Sequence, residues 1–244
     1  MAKLNAKNQD ALLTVLQDGS LELVGLLPWG SNYTFLVDVC HQEVKLPAVY
    51  KPRKGERPLW DFPRGTLCQR EQAAYLLSAA LGWGLVPPTV LRDGPHGWGA
   101  VQAFVEHDPD QHYFTFEGRY ADQLQRVVLF DVLANNADRK GGHVLLDETG
   151  RLWSIDHGIC FHVEDKLRTV IWDFAGEVIP ADLLADLAQL QASLADGTDG
   201  RVVAMQQMLS RQELRALQQR LALLLANPVF PRPGPGRHYP WPPV

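Results

Sequence analysis

Asp138 and Asp156 stand in two short motifs whose order suits phosphoryl transfer. The first motif is Phe130-Asp131-Val132-Leu133-Ala134-Asn135-Asn136-Ala137-Asp138-Arg139-Lys140-Gly141-Gly142-His143, and the second is Leu152-Trp153-Ser154-Ile155-Asp156-His157-Gly158. An aspartate just before one short strand orients an attacking hydroxyl. A second aspartate just after the next strand holds a divalent ion on nucleotide phosphates. Each has a plainer competitor: an Asx-turn after a helix for Asp138, and a strand-end turn for Asp156. Their spacing, with a two-strand hairpin between them, carries more weight than either residue alone.

Such a centre also needs cations around the transferring group, because the protein contributes charge and position more than covalent chemistry. Lys51 ends an apolar strand and is placed to reach α- and β-phosphates. Glu71, in Arg70-Glu71-Gln72-Ala73-Ala74, opens the next helix and is the expected partner of Lys51, with Glu56 as its competitor. Lys140, two residues past Asp138, is placed to steady the phosphate. The turn Gly30-Ser31-Asn32 offers backbone N–H groups as a phosphate cover, which makes Ser31 and Asn32 candidate nucleotide contacts. Gln102, Phe104 and Val105 fall in an extended hinge and complete that candidate site. The basic run from Lys51 to Arg57 reads as a solvated loop or an anion site, and Lys166 with Arg168 as a solvated pair or a contact for an anionic acceptor.

The elements that must position these residues follow from periodicity. A short helix is expected over 10–18, then strands over 21–27, 33–39 and 44–51, the first two as a hairpin. A helix over 69–81 carries Ala73, Leu76, Leu77 and Ala80 on one face, and Gly82-Trp83-Gly84 stops it. Strands are expected over 86–91 and 100–105. An amphipathic helix over 121–135 is built on Leu124, Val127, Val128 and Val132. Strands over 144–146 and 152–155 follow, then helices near 181–195, 201–209 and 211–226. Residues 228–244 are proline-rich and read as disordered or extended along the body. The pattern gives an α+β fold with a β-rich N-lobe (1–105), a mostly helical C-lobe (106–227) and a proline-rich tail (228–244).

The chain has 244 residues, 46% of them hydrophobic, which suffices for one large domain or two joined lobes. A net charge of −5 leaves no footprint for nucleic acid or an anionic membrane. Three widely spaced cysteines, Cys40, Cys68 and Cys160, form no CxxC and point to a reducing, cytoplasmic setting. Cys160 reads as a buried, inert thiol near the second motif. No apolar run reaches the ~18 residues of a membrane span, so no stable membrane insertion is expected.

At Phe130–Arg139 the chain resembles the catalytic-loop segment of the phosphatidylinositol 3- and 4-kinase-like superfamily. Ile155-Asp156-His157-Gly158-Ile159-Cys160-Phe161 is similar to its metal-binding segment, Val49-Tyr50-Lys51-Pro52 to its lysine motif, and Arg70-Glu71-Gln72-Ala73-Ala74 to its glutamate helix. More narrowly it resembles compact bacterial members, often actinobacterial. The resemblance implies a two-lobed, protein-kinase-like fold that uses ATP with Mg²⁺ or Mn²⁺, and transfers the γ-phosphate to an alcohol acceptor on a small molecule, an inositol-type compound or a protein. It implies metal ligands at Asp156 and at the position five after Asp138, where the family has asparagine and this chain has His143. Imidazole suits Mn²⁺ better than Mg²⁺. Other readings stay open: a nucleotide-binding pseudokinase, favoured by His143; a kinase-fold AMP transferase; and a metal-dependent hydrolase built on His107, His112, His143, His157 and His162. The last matches no helical ligand spacing and leaves Lys51 idle.

Overall fold

The computed structural model describes residues 9–27 and 32–244. Helix α1 (Gln9–Asp18) precedes strands β1 (Ser20–Leu27), β2 (Thr34–His41) and β3 (Val44–Pro52). Helix α2 (Leu67–Ala80) and the hairpin β4 (Thr89–Gly94) and β5 (Gly97–Ala103) complete the first lobe. The five strands form one antiparallel sheet in the order β1-β2-β3-β5-β4.

Strand alternation decides where Lys51 goes. Leu46, Ala48 and Tyr50 of β3 are buried with Val37 and Val39 of β2 under Leu12, Val15 and Leu16 of α1. Successive strand residues face opposite sides, so Val49 and Lys51 lie on the other face, away from α1. β5 runs directly beside this end of β3, pairing Lys51 with Ala100 and Pro52 with Gly99. A Cβ on Gly99 would lie 2.5 Å from the Lys51 carbonyl, so only glycine permits this approach.

The second lobe begins after an irregular stretch with α3 (Ala121–Ala134). The hairpin β6 (Val144–Leu146) and β7 (Leu152–Ser154) follows, then α4 (Ala181–Asp196), α5 (Gly200–Met208) and α6 (Arg211–Ala226). Its core is one continuous apolar cluster that includes Leu129, Phe130 and Leu133 of α3, Leu187 of α4, Met205 of α5 and Leu217 of α6. Helix α2 contributes Ala73, Ala74 and Leu77 to the same cluster, so the glutamate helix is anchored on the helical lobe. A reciprocal cap starts α6: Glu213 N donates to Ser210 Oγ, and Ser210 N to Glu213 Oε2.

Two further features bear on the site. Val105 packs with Leu145 and Trp153, joining the end of β5 to the β6–β7 hairpin. The proline-rich tail is extended along the body. Phe230 is buried, the His238 carbonyl accepts from Thr169 N, and the Pro243 carbonyl accepts from Gly141 N. Among the described residues no helix is long and apolar enough to cross a membrane.

Candidate active site

Lys51 donates to Glu71 Oε1 and lies 3.1 Å from Asp156 Oδ1. Glu71 is almost fully buried, and its second oxygen accepts from His157 N at 3.0 Å, which ties α2 to the segment after β7. Burial pulls the Lys51 ammonium down, but the carboxylates of Glu71 and Asp156 outweigh it and hold its pKa above the ordinary lysine value. Glu56, the competitor, is engaged elsewhere: its Oε1 accepts from Cys68 N at the start of α2.

Asp156 leaves β7 with φ of 62°, a left-handed conformation that aspartate tolerates better than most side chains. The turn points its carboxylate at both Lys51 and His143. Lys51 above all, then His143, draw its pKa well below the usual carboxylate range.

Asn136 makes the turn expected of Asp138, its Oδ1 accepting from Asp138 N at 3.0 Å. The Asp138 carboxylate is therefore free of the backbone and lies 3.8 Å from Lys140 Nζ. Burial pushes its pKa up to about 6, against the pull of Lys140.

His143 lies 3.4 Å from Asp156, Nε2 to Oδ2. Burial lowers its pKa to about 4, so the ring is neutral at pH 7. Its Nδ1 stands 3.0 Å from the Asp138 carbonyl and 3.5 Å from Lys140 N; the shorter contact places the hydrogen on Nδ1. An Nε2 lone pair then faces a carboxylate, and two acceptors at that distance fit a shared cation. The pair would suit a divalent ion.

Arg139, next to Asp138, is fully buried and holds the loop together. It donates to both oxygens of Asp131 at 2.8 and 2.9 Å, to the carbonyls of His143 and Ile155, and to His157 Nε2 at 2.8 Å. Because guanidinium only donates, His157 Nε2 accepts, and burial together with Arg139 keeps that imidazole neutral. The sequence reading passes over Arg139, Asp131 and Asn136. One signal was present: Asp131 follows Leu124, Val127 and Val128 at helical spacing, and a carboxylate on an apolar face needs a buried partner.

The other expected contacts are distributed differently. Asn32 Oδ1 accepts from Arg57 N at 2.7 Å, fixing the turn to the loop after β3; Gly30 and Ser31 lie outside the described residues. Gln102 is buried and donates to Thr89 Oγ1, so its side chain is spent within the sheet. Phe104 is half-buried beside His107, and its N–H donates to the Pro47 carbonyl. Val105 is buried in the joint between the lobes. Arg53, Lys54 and Arg57 line, with Arg64, a cavity of about 350 Å³. Cys160 is buried, and burial raises its thiol well above the ordinary value, in keeping with an inert role.

The profile of the family described as phosphatidylinositol 3- and 4-kinase matches residues 94–230. Protein Rv2133c of Mycobacterium tuberculosis is 42% identical, over 93% of this chain and 94% of its own length. Phosphatidylinositol 4-kinase gamma 4 of Oryza sativa subsp. japonica is 28% identical over 50% of this chain, which spans only 26% of that kinase. Among solved structures, the Golgi casein kinase with Mn/ADP bound superposes with a TM-score of 0.58 at 16% identity, covering 91% of this chain and 76% of the other. The Helicobacter pylori proinflammatory kinase CtkA gives 0.51 at 11% identity, covering 88% and 94%. These structural likenesses establish a kinase-like fold.

Proposed function

The chain belongs to the phosphatidylinositol 3- and 4-kinase family, and from that premise we propose that it is an ATP-dependent phosphotransferase acting on an alcohol acceptor. The observation that carries this reading is the convergence of Lys51, Asp156, His143 and Asp138 from three separate segments: strand β3, the loop between α3 and β6, and the turn after β7. Lys51 bridges Glu71 and Asp156, while His143 touches both Asp156 and the backbone of Asp138.

In this reading Lys51 holds the nucleotide phosphates, and Glu71 keeps the ammonium in place. His143 and Asp156 would hold Mg²⁺ or Mn²⁺, which supplies neutralisation of phosphate charge. Asp138 accepts the acceptor's hydroxyl proton while that oxygen bonds to the γ-phosphorus. The bond from the γ-phosphorus to the bridging oxygen breaks, and ADP leaves with the electron pair. A carboxyl with a pKa of about 6 is mostly ionised at pH 7 yet basic enough to take a proton. Lys140 stands beside Asp138 to meet the incoming negative charge. Ser31, Asn32 and Phe104 are assigned to nucleotide contact, while Gln102 and Val105 support the hinge from within the sheet and the joint between the lobes. We take the lobes to divide at Val105.

A hydrolase built on the histidines is disfavoured, because among the described residues no three His, Cys, Asp or Glu side chains gather to hold a metal. The deciding experiment has two readouts. ATP with Mn²⁺ should raise the melting temperature, and label from γ-phosphate should reach an acceptor from a metabolite or peptide library. Label arriving from α-phosphate instead would mean AMP transfer. A nucleotide shift with no turnover of either label would mean a pseudokinase, and no shift at all would sink every nucleotide reading.

A further inference from the structure

We propose that Arg168 is a catalytic cation that clamps the phosphoryl group in transit between nucleotide and acceptor. The proposal deepens the phosphotransferase reading and rests on it.

The backbone places Arg168 abreast of Asp138. Arg168 N donates to the Asn136 carbonyl at 2.9 Å, and Arg139 N donates to the Arg168 carbonyl at 2.9 Å. Arg139 and Thr169 form a parallel bridge, closed by Val170 N donating to the Arg139 carbonyl. The residues on either side of Ala137-Asp138 are thus pinned to Arg168 itself. The tail holds this short ladder from outside: the His238 carbonyl accepts from Thr169 N, and the Pro243 carbonyl accepts from Gly141 N in the catalytic loop.

The side chain is unspent. Among the described residues Arg168 has no ion-pair partner, and its Nε is buried with no hydrogen-bond partner. A buried donor without a partner is costly, and an anion bound beside it would satisfy it. Lys166, the other cation of the segment, differs: it is paired with Asp61 at 3.0 Å and lies 3.8 Å from Glu164. Of the two, only Arg168 is left to meet an anion. Its charge is felt at Asp138, where after burial, Lys140, Asp156 and Arg139 it is a further influence on the carboxyl. That is where an acceptor hydroxyl would sit and the phosphoryl group arrive. A guanidinium presents a planar fork of donors that matches phosphoryl oxygens, a geometry that lysine lacks. The same role is played in other phosphotransferases by an arginine supplied within the chain.

The test compares the wild type with Arg168→Gln, Arg168→Lys and Arg168→Gly by thermal shift, ATP hydrolysis and chemical rescue. ADP with Mn²⁺ is first bound, and aluminium fluoride is added as a mimic of the phosphoryl group in transit; such mimics bind more tightly than ground-state ligands. In the wild type the fluoride should raise the melting temperature beyond the ADP–Mn²⁺ value. In Arg168→Gln that increment should vanish while the ATP–Mn²⁺ shift stays. The kcat for ATP hydrolysis should fall on the order of 10³-fold, with KM for ATP little changed. Millimolar guanidinium should restore part of the activity of Arg168→Gly, which a purely structural role would not allow. A fluoride increment retained by Arg168→Gln, or absent from a wild type that binds ATP, overturns the proposal. Unchanged hydrolysis with loss of transfer only to phosphate-bearing acceptors overturns it too, and assigns Arg168 to the acceptor's own anion. If Arg168→Gln fails to fold, the Arg168→Lys comparison decides, with a reduced but measurable increment expected. Failure of ATP–Mn²⁺ to shift the wild type counts against the phosphotransferase reading instead.

Discussion

Lys51 Nζ lies 3.1 Å from Asp156 Oδ1 while donating to Glu71, so one ammonium links the sheet, the glutamate helix and the turn after β7. The Glu71 end of this triad is buried and the Asp156 end is half exposed. The two ends therefore differ in what they contribute. Glu71→Gln leaves a buried ammonium short of its counter-charge and should destabilise the fold by about 3 kcal/mol, within the range for breaking a buried pair. Lys51→Met should abolish the ATP-dependent rise in melting temperature. The double variant Lys51→Met, Glu71→Leu should be more stable than Glu71→Gln, because apolar groups of similar size replace both charges. Urea unfolding of the three variants checks the order, and equal losses in the single and double variants would exclude charge burial as the cause.

Asp138 predicts opposite effects on stability and activity. Its folded pKa of about 6 stands above the unfolded 3.8. Between these values the folded state binds more protons than the unfolded one, so stability contributed by this group is complete below about pH 4 and lost as pH rises through 6. Asp138→Asn removes that loss. The variant should be more stable than wild type at pH 8, by at most about 3 kcal/mol and by less once solvent screening of this partly exposed group is allowed for, and the gap should close by pH 4. Phosphoryl transfer should fall by about 10²–10⁴-fold, as expected for a lost general base. Thermal denaturation across pH 4–8 checks the first part. A variant less stable than wild type at pH 8 would show that the carboxylate is stabilised in the fold.

Much of this arrangement follows from local pattern. Leu124, Val127 and Val128 announce α3, because helical period acts within a few residues. What escapes is set by distant partners. Helix α2 starts at Leu67, ahead of the expected Gln69, because Glu56, from the loop before it, accepts from Cys68 N in its first turn. Strand β4 starts at Thr89 and not at 86, since Pro87 and Pro88 have no N–H to give a ladder, and it runs on to Gly94 because that residue pairs with Gly97. Lys51, Glu71, Asp138 and Asp156 are visible because their motifs are short and ordered. Arg139 hides because its partners come from α3, β6 and the segment after β7, and no spacing rule joins them.

His143 should set the metal preference. Its neutral Nε2 faces Asp156 across 3.4 Å, where the family pattern supplies an amide oxygen. Imidazole favours Mn²⁺ over Mg²⁺. The ATP-dependent rise in melting temperature should therefore be larger with Mn²⁺ than with Mg²⁺ at equal concentration, and His143→Asn should narrow or reverse the difference. Thermal shifts in both metals for both proteins decide this. An identical metal ratio in the two proteins would remove His143 from the coordination sphere.

Arg139 and Asp131 separate stability from catalytic geometry. Both are buried, and the guanidinium meets the carboxylate through two bonds at 2.8 and 2.9 Å. Arg139→Ala leaves Asp131 charged, buried and unpaired, and should cost about 3–5 kcal/mol. The double variant Arg139→Met, Asp131→Leu removes both charges and should recover much of that loss. Activity should not recover with it. Arg139 also donates to the carbonyls of His143 and Ile155, which hold His143 and Asp156 in register, and methionine has no donor for either. Turnover in the double variant should stay at least 10²-fold below wild type, since ~1 Å of displacement at a reacting centre costs about that much. Parallel measurement of unfolding free energy and phosphoryl transfer tests the separation. If activity returned with stability, the loop geometry would be independent of Arg139, and the buried pair would serve the fold alone.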